Sequence, residues 1–434
     1  MEKLELDFTV ALLGECTVDS PVSLSGRKYD YVANYVRDDE YIIYDIEMAP
    51  DSPARTFTKN ELLEKAGPRE KIYFDPGEVA AAVVTCGGLC PGLNDVIRAL
   101  VMALWYRYGV KRIYGFRSGF RGLIERFGLT PMELGPENVL DIHRKGGTVL
   151  GSSRGCGDCV DEIIDTLERM KINVLFTIGG DGTQSATLGI CRRIRRRGLR
   201  IAVVGIPKTI DNDLSFVQKS FGFETAVSKA AEAVAGAHVE AECAINGIGI
   251  VKVMGRQSGF IAAHTALAVR DVNYVLIPEV PFELGGENGL LMSLQRRLER
   301  RGHAVIVVAE GAGSQLLESA DANAEDIGVF IKEIIAAYFE EKNIEVNLKY
   351  IDPSYIIRSL PANASDSIYC ALLGTNAVHA AMAGRTEMLI SLLHGHFVHV
   401  PIRMAVSKRN NVDPNGALWR SVLESTGQPP LMKN

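Results

Sequence analysis

From Glu78 onward the apolar residues fall in short unbroken runs, each closed by glycine or proline and followed by a stretch of helical spacing. Val79 to Thr85 runs into Gly87-Gly88, Val174 to Ile178 into Gly179-Gly180, and Ile201 to Ile206 into Pro207. Ile248 to Met254 runs into Gly255, and Val305 to Ala309 into Gly311. A strand that is apolar at every position is buried on both faces, which requires a parallel sheet with helices over both sides. The intervening stretches 222 to 237 and 365 to 384 carry the helical period. The pattern predicts a doubly wound α/β architecture.

The first 75 residues read differently. Lys28 to Tyr35 and Glu40 to Ile46 alternate apolar and polar positions, which predicts short strands in which the tyrosines are ordinary strand packing, and Pro53, Pro68 and Pro76 punctuate the link that follows. The expected organisation is a β-rich extension over 1–75 and a core over 76–405, ending in a tail over 406–434. The core is expected to be two Rossmann-like lobes with parallel-rich sheets.

Composition narrows the function. With 434 residues, 47% hydrophobic and 23% charged, the chain can bury two ordinary cores and is not disordered. Its formal charge of -6 arises from 53 acidic and 47 basic residues spread along the sequence, so no basic field recruits nucleic acid or membrane. Any phosphate must be gripped locally. The one dense basic run, Arg192 to Arg197, ends a helical pattern and reads as a solvated helix end, where cations suit the dipole. Eight cysteines are too sparse for a disulfide framework, no leader pattern opens the sequence, and no apolar run approaches the roughly 20 residues of a membrane span. A reducing cytoplasmic setting is expected.

In open α/β sheets ligands bind beyond the carboxyl ends of the strands. Gly179-Gly180-Asp181-Gly182-Thr183 lies where a strand turns into a helix, so phosphate oxygens can approach bare backbone N–H groups at the helix's positive end. Asp181 is placed to hold Mg²⁺, a hard cation that prefers oxygen. A similar pentad occurs in lipid kinases and NAD kinases, and such a turn is often only structural. Gly87 to Asn94 and Gly146 to Gly155 are two further glycine turns, and Arg154 after the second can clamp a phosphate or be a plain surface arginine. No Walker-type Gly-x-x-x-x-Gly-Lys-Ser/Thr is present. Pro207-Lys208-Thr209-Ile210-Asp211-Asn212-Asp213 sets two carboxylates and a lysine in one turn after a buried strand. Phosphoryl transfer to an alcohol needs a carboxylate to accept the hydroxyl proton and cations over the transferred group, roles open to Asp211 and Lys208.

These motifs, in this order across residues 80 to 405, resemble those of the phosphofructokinase family. The form with Lys208, Arg154-Gly155 and Tyr350-Ile351-Asp352-Pro353-Ser354-Tyr355 is most similar to the ATP-dependent enzymes of kinetoplastid parasites and their bacterial relatives. The resemblance implies ATP-dependent 6-phosphofructokinase activity, the committed step of glycolysis, in a cytoplasmic, allosteric homodimer or homotetramer that uses Mg²⁺ and binds neither nucleic acid nor membrane, with one lobe of the core binding the nucleotide, the other the sugar phosphate, and the active site between them. It implies that Gly87, Arg154, Gly155, Gly179, Gly180, Gly182 and Thr183 line the ATP site with Asp181 on Mg²⁺. Thr209, Ile210 and Asp211 would meet the reacting end of fructose 6-phosphate, with Lys208, Thr209 and Arg256 assisting Asp211 in catalysis. Met254, Gly255, Arg256, Glu310, Lys349, Tyr355 and Arg358 would hold the sugar phosphate.

Donor choice turns on Gly182, where pyrophosphate-using members carry an aspartate that would repel the α-phosphate of ATP. Glycine there favours ATP, whereas Lys208 is shared with pyrophosphate users. Two phosphate arginines of the short bacterial enzymes are replaced by Gly247 and Lys349, and Gly155 stands where their adenine-stacking aromatic would be. Cys86 with Cys90, and Cys156 with Cys159, suggest zinc or a redox pair but read as incidental thiols. His394, His396 and His399 read as a half-exposed strand rather than a metal site. Rival functions are a pyrophosphate-dependent transferase, a non-catalytic regulatory subunit, which intact Asp181, Asp211 and Arg256 oppose, and an oxidoreductase, which lacks Gly-x-Gly-x-x-Gly after the first core strand.

Overall fold

A computed structural model describes residues 6–47, 57–319 and 326–434, and Pro53 lies outside them. The chain forms two compact units. One takes residues up to Thr209 with Leu214–Gly222 and Leu360–Arg409, and the other takes Ile210–Asp213, Phe223–Ser359 and Asn410–Asn434.

The first unit is built on a seven-stranded sheet in the order His396–Pro401, Met388–Leu393, Ala202–Pro207, Val174–Gly179, Ala80–Thr85, Arg112–Phe116, Met132–Glu133. The five inner strands are parallel and the two edges antiparallel. Three of the apolar runs sit side by side at its centre, buried at every position, as continuous apolar strands require. Helices Val160–Arg169 and Asp181–Arg196 press Ile163, Leu167, Ile190 and Ile194 onto Ala82, Val84, Leu175 and Val203. The basic run does end the second of these helices, but it is ion-paired rather than merely solvated. Arg193 binds Asp161 at 2.6 Å, and Arg197 reaches Asp161, Asp165 and Glu168 at 2.6 to 2.8 Å, all from the neighbouring helix.

The N-terminal segment belongs to this same unit. Ala11–Leu12 pairs with Arg385–Thr386, Val18–Asp19 with Lys71–Ile72, and Tyr41–Ile43 with Leu62–Glu64. The strand expected over 28–35 does not form. Tyr29 and Tyr31 take left-handed φ of 67° and 62° and are exposed, while the Asp30 carboxylate accepts from Val32 N at 3.1 Å and from Ser25 Oγ. An aspartate bonding the backbone two residues on offers the chain a turn in place of a ladder, and the apparent alternation is a by-product. Tyr44, by contrast, does pack, against Phe8 and Phe216.

An ionic cluster of buried cations with the largely buried Glu64 and the exposed Asp38 fastens this segment down. Arg385 reaches Asp38 at 2.5 Å and Glu64 at 3.3 Å, Arg69 reaches Asp38 at 2.8 Å, and His399 Nδ1 lies 3.2 Å from Glu64. The side chains of Arg69, Arg385 and His399 are at most 5% exposed. Burial holds His399 near pKa 4 and thus neutral at pH 7. Burial alone would raise Glu64, but its bond with His399 and the charges of His399, Arg385 and Arg69 bring it to about 2. The strand His396–Pro401 is therefore not half-exposed, since Val398 to Pro401 are buried; His394 precedes it in the turn and bonds Tyr44 O at 2.8 Å.

The second unit has a four-stranded, wholly parallel sheet in the order Tyr274–Leu276, His303–Ala309, Gly247–Val253, Asn347–Ile351. Ile250, Ile306, Val308, Leu294 and Ile331 anchor its core. The last 25 residues are not a loose tail but part of this unit: helix Ala417–Thr426 buries Trp419 and Val422, Gln428 bonds Val275 N at 2.7 Å, and Met432 enters the core. Among the described residues no helix is long and apolar enough to cross a membrane.

Candidate active site

In the first unit the adjacent strands Ala80–Thr85, Val174–Gly179 and Ala202–Pro207 release their loops at one sheet edge, and the loops are bonded together. Cys86 N donates to Ile178 O at 2.9 Å, Gly87 N to Ser153 O at 3.0 Å, and Lys208 N to Gly179 O at 3.0 Å. Ser152 Oγ donates to Gly87 O at 2.7 Å. The ammonium of Lys208, a buried residue, donates to Gly88 O at 2.6 Å. Thus Gly87, Ser153 ahead of Arg154 and Gly155, Gly179 to Thr183, and Lys208 do converge. Arg154 and Gly155 are exposed, Gly155 with φ of 85°.

Glycines of the pentad serve different ends. A Cβ on Gly179 would stand 2.3 Å from Thr183 Oγ1, and one on Gly180 would stand 3.1 Å from Lys208 O, so these two allow close approach of the chain to itself. A Cβ on Gly182 would meet nothing within 4 Å. Packing does not require glycine there; the space beside it is open. Asp181 opens helix Asp181–Arg196 and is two-thirds buried, and one of its carboxylate oxygens lies 3.1 Å from the Arg409 guanidinium. A site that already attracts a cation to a hard oxygen suits Mg²⁺.

Beneath these loops Gln184 donates from Nε2 to Gly179 O at 3.0 Å and, more weakly, to Ile206 O at 3.4 Å, while Gly205 leaves room for its Oε1, which a Cβ would approach to 2.3 Å. Neither Gln184, Gly205 nor Arg409 was expected. Gln184 is a polar residue one turn inside a helix and carries a readable signal; Arg409 carries none, being 228 residues from Asp181 in sequence.

Between Thr209 and Ile210 the chain passes from the first unit to the second. Asp211 there accepts Ser258 Oγ on its backbone oxygen at 3.1 Å, and Asn212 takes φ of 55°, common for asparagine. In the second unit the strand ends of Gly247–Val253, His303–Ala309 and Asn347–Ile351 bring Met254-Gly255-Arg256, Glu310 and the helix Ser354–Arg358 to one edge. Glu310 N donates to Val253 O at 2.9 Å and Gly311 N to Gly255 O at 3.2 Å. Gly255 has φ of 129°, and a Cβ there would strike Ser258 O at 2.4 Å. Arg256 is exposed, and the Arg358 guanidinium lies 4.7 Å from the ring centre of Tyr355, itself 72% exposed. Lys349 is exposed within its strand, two residues short of the end. Gly247 is glycine for packing, since a Cβ would stand 2.1 Å from Ala241 O, so no arginine fits there.

All eight cysteines are free thiols. Burial pushes Cys86 up to about 12, which leaves it inert at neutral pH. Among the described residues no three His, Cys, Asp or Glu side chains cluster as a metal cage.

The phosphofructokinase family model matches residues 80–381. The chain is 56% identical to the ATP-dependent 6-phosphofructokinase of Borreliella burgdorferi, with 99% of this chain and 98% of that one aligned. It is 48% identical to the enzyme of the same name from Amycolatopsis methanolica, covering 98% and 95% of the two chains, and 48% identical to that of Trypanosoma cruzi, covering 84% and 76%. In fold it resembles the pyrophosphate-dependent phosphofructokinase of Marinobacter aquaeolei, with a TM-score of 0.66 at 20% identity over 82% of this chain and 92% of that one. With near-full-length relatives of this identity and a family match over most of its length, the chain belongs to the phosphofructokinase family.

Proposed function

We propose that the protein transfers the γ-phosphoryl group of ATP to O1 of fructose 6-phosphate, giving fructose 1,6-bisphosphate and ADP, the committed step of glycolysis. The observation that carries this reading is the open space at Gly182 beside Asp181, at the start of a helix whose turn is tied to the Lys208 loop. That space leaves room for a nucleotide's phosphates.

In this reading the N–H groups of the first turn of Asp181–Arg196 and of the Gly87 turn face phosphate oxygens, favoured by the helix dipole. Asp181 would hold Mg²⁺, which would supply positive charge against that of the transferred group. Lys208 keeps a positive charge at the same place and Arg154 grips the nucleotide side. Asp211 accepts the 1-hydroxyl proton and orients the oxygen, with Thr209 and Ile210 shaping its surroundings. Arg256, Met254, Gly255 and Glu310 hold the sugar; Tyr355 and Arg358, with Lys349, take the 6-phosphate. Pyrophosphate as donor is the second reading, favoured by Lys208. The protein works in the cytoplasm as a homodimer or homotetramer.

Turnover of fructose 6-phosphate with ATP and with pyrophosphate tests the donor. The wild type should use ATP with negligible rate on pyrophosphate, and Asp211→Ser should cut kcat at least about 10²-fold at little changed KM for the sugar. Near-normal kcat in that variant removes Asp211 from the mechanism.

A further inference from the structure

Lys252 is out of place by pattern. It is the one lysine in Gly247–Val253, a strand otherwise buried at every position, and its own side chain is only 12% exposed. Its ammonium bridges two carboxylates, Asp326 at 2.5 Å and Asp352 at 2.9 Å. Each of those has a second task. Asp326 accepts Gly328 N and Val329 N as the cap of helix Ile327–Glu341, and also Tyr350 OH at 2.9 Å. Asp352 accepts Ser354 N at 3.0 Å and Ser354 Oγ at 2.5 Å, fixing the first residue of Ser354–Arg358.

The parallel register sets Val251 opposite Ile351, so Lys252 and Asp352 are the next pair along, where the two strands give way to loops. One loop begins with Met254-Gly255-Arg256; the other is the short helix that shows Tyr355 and Arg358. A helix of five residues has little stability of its own; its Ile357 is buried, and the guanidinium of Arg358 lies over the ring of the exposed Tyr355. With Ile357 seated in the core, how the helix presents Tyr355 and Arg358 is set also by what holds its start.

We propose that Lys252 is a positioning residue for the sugar phosphate: by holding Asp352 it fixes Tyr355 and Arg358 relative to Met254-Gly255-Arg256. This rests on the assignment of those residues to fructose 6-phosphate made above. The two ideas fail separately. A wild type without turnover of fructose 6-phosphate sinks the assignment, and a working wild type whose Lys252 variants keep its sugar KM sinks the inference alone.

The experiment is steady-state kinetics on wild type, Lys252→Met, Lys252→Arg and Asp352→Asn, with melting temperatures and direct titration of fructose 6-phosphate in the absence of nucleotide. Lys252→Met and Asp352→Asn should each raise KM for fructose 6-phosphate about 10-fold and weaken the titrated affinity alike, while KM for ATP stays within about 2-fold. Lys252→Arg, which keeps the charge, should recover most of the loss. Asp326→Ala, which removes the helix cap but leaves the Lys252–Asp352 pair, should lower the melting temperature without the KM change. If Lys252→Met or Asp352→Asn lowers stability and raises both KM values together, or Lys252→Arg gives no recovery, Lys252 is a fold support and the proposal is wrong.

Discussion

Gly179 and Gly182 are three residues apart, yet one is glycine because the chain crowds it and the other although nothing does. An aspartate at Gly182 would therefore fit the free protein, and at the second position of a helix it suits the dipole. Gly182→Asp should leave the melting temperature unchanged or slightly raised. At a separation of about 5 Å and an effective dielectric of about 20, a carboxylate and a phosphate charge repel by about 3 kcal/mol, so kcat/KM for ATP should fall at least about 10²-fold. Measuring kcat/KM for both donors in both proteins checks this, and full ATP activity in the variant would refute the reading of Gly182 as the donor gate. Residue identity made this position legible, because glycine and aspartate differ in charge where a phosphate must pass. Arg409 was illegible for the opposite reason: nothing local to it refers to Asp181, and only the fold brings the two within 3.1 Å.

At the scale of elements, unbroken apolar runs ending in glycine or proline located five of the strands in the two main sheets to within two residues at either end, because burial on both faces leaves little freedom in composition. Where one face meets solvent the signal weakened, and over 28–35 Asp30 overrode it with a turn. The pairing of strand His396–Pro401 with the segment around Glu64 was equally hidden, since a histidine in a strand does not announce a buried carboxylate 335 residues away. The burial of His399 there makes the first unit acid-sensitive. His399 has a folded pKa near 4 against about 6.5 when unfolded, so between these values the unfolded chain binds more protons and stability is lost as pH falls from about 6.5 towards 4. Glu64, depressed to about 2, adds a further loss as pH falls below about 4.5. His379, buried and near 4 with its Nδ1 2.7 Å from Tyr108 OH, acts in the same window as His399. The midpoint of urea unfolding should drop steadily from pH 6.5 to 4.5, and His399→Asn should flatten that slope at the cost of stability at pH 7. A slope identical to wild type in the variant would show that His399 is not the titrating group.

For the molecule as a whole, the question is whether the N-terminal segment is an attachment or a component, and the buried charges decide it. Arg385 and His399 come from strands of the central part of the first unit, yet their carboxylate partners Asp38 and Glu64 come from the first 75 residues. Phe8 and Leu63 likewise share a core with Leu389, Val398 and Val400. Removing residues 1–75 strips a buried arginine of both carboxylates and uncovers an apolar face in one step. A buried ion pair broken on one side costs about 3–5 kcal/mol, against a total stability of about 5–15 kcal/mol for a typical protein, before the lost apolar contacts are counted. The shortened chain should be insoluble, or melt at least about 10 °C lower, whether or not every residue assigned to catalysis is intact. Arg385→Met in the full chain separates the two contributions: it leaves the apolar contacts in place and leaves Asp38 with Arg69 and Glu64 with His399, and should lose less than the deletion does. Supplying residues 1–75 as a separate chain during refolding should restore solubility to the shortened protein, since the contacts are non-covalent and the segment's own strands are only two or three residues long. An attachment would behave otherwise, and a shortened protein that melts with the wild type and turns over at the same rate would overturn the argument that these charges are structural.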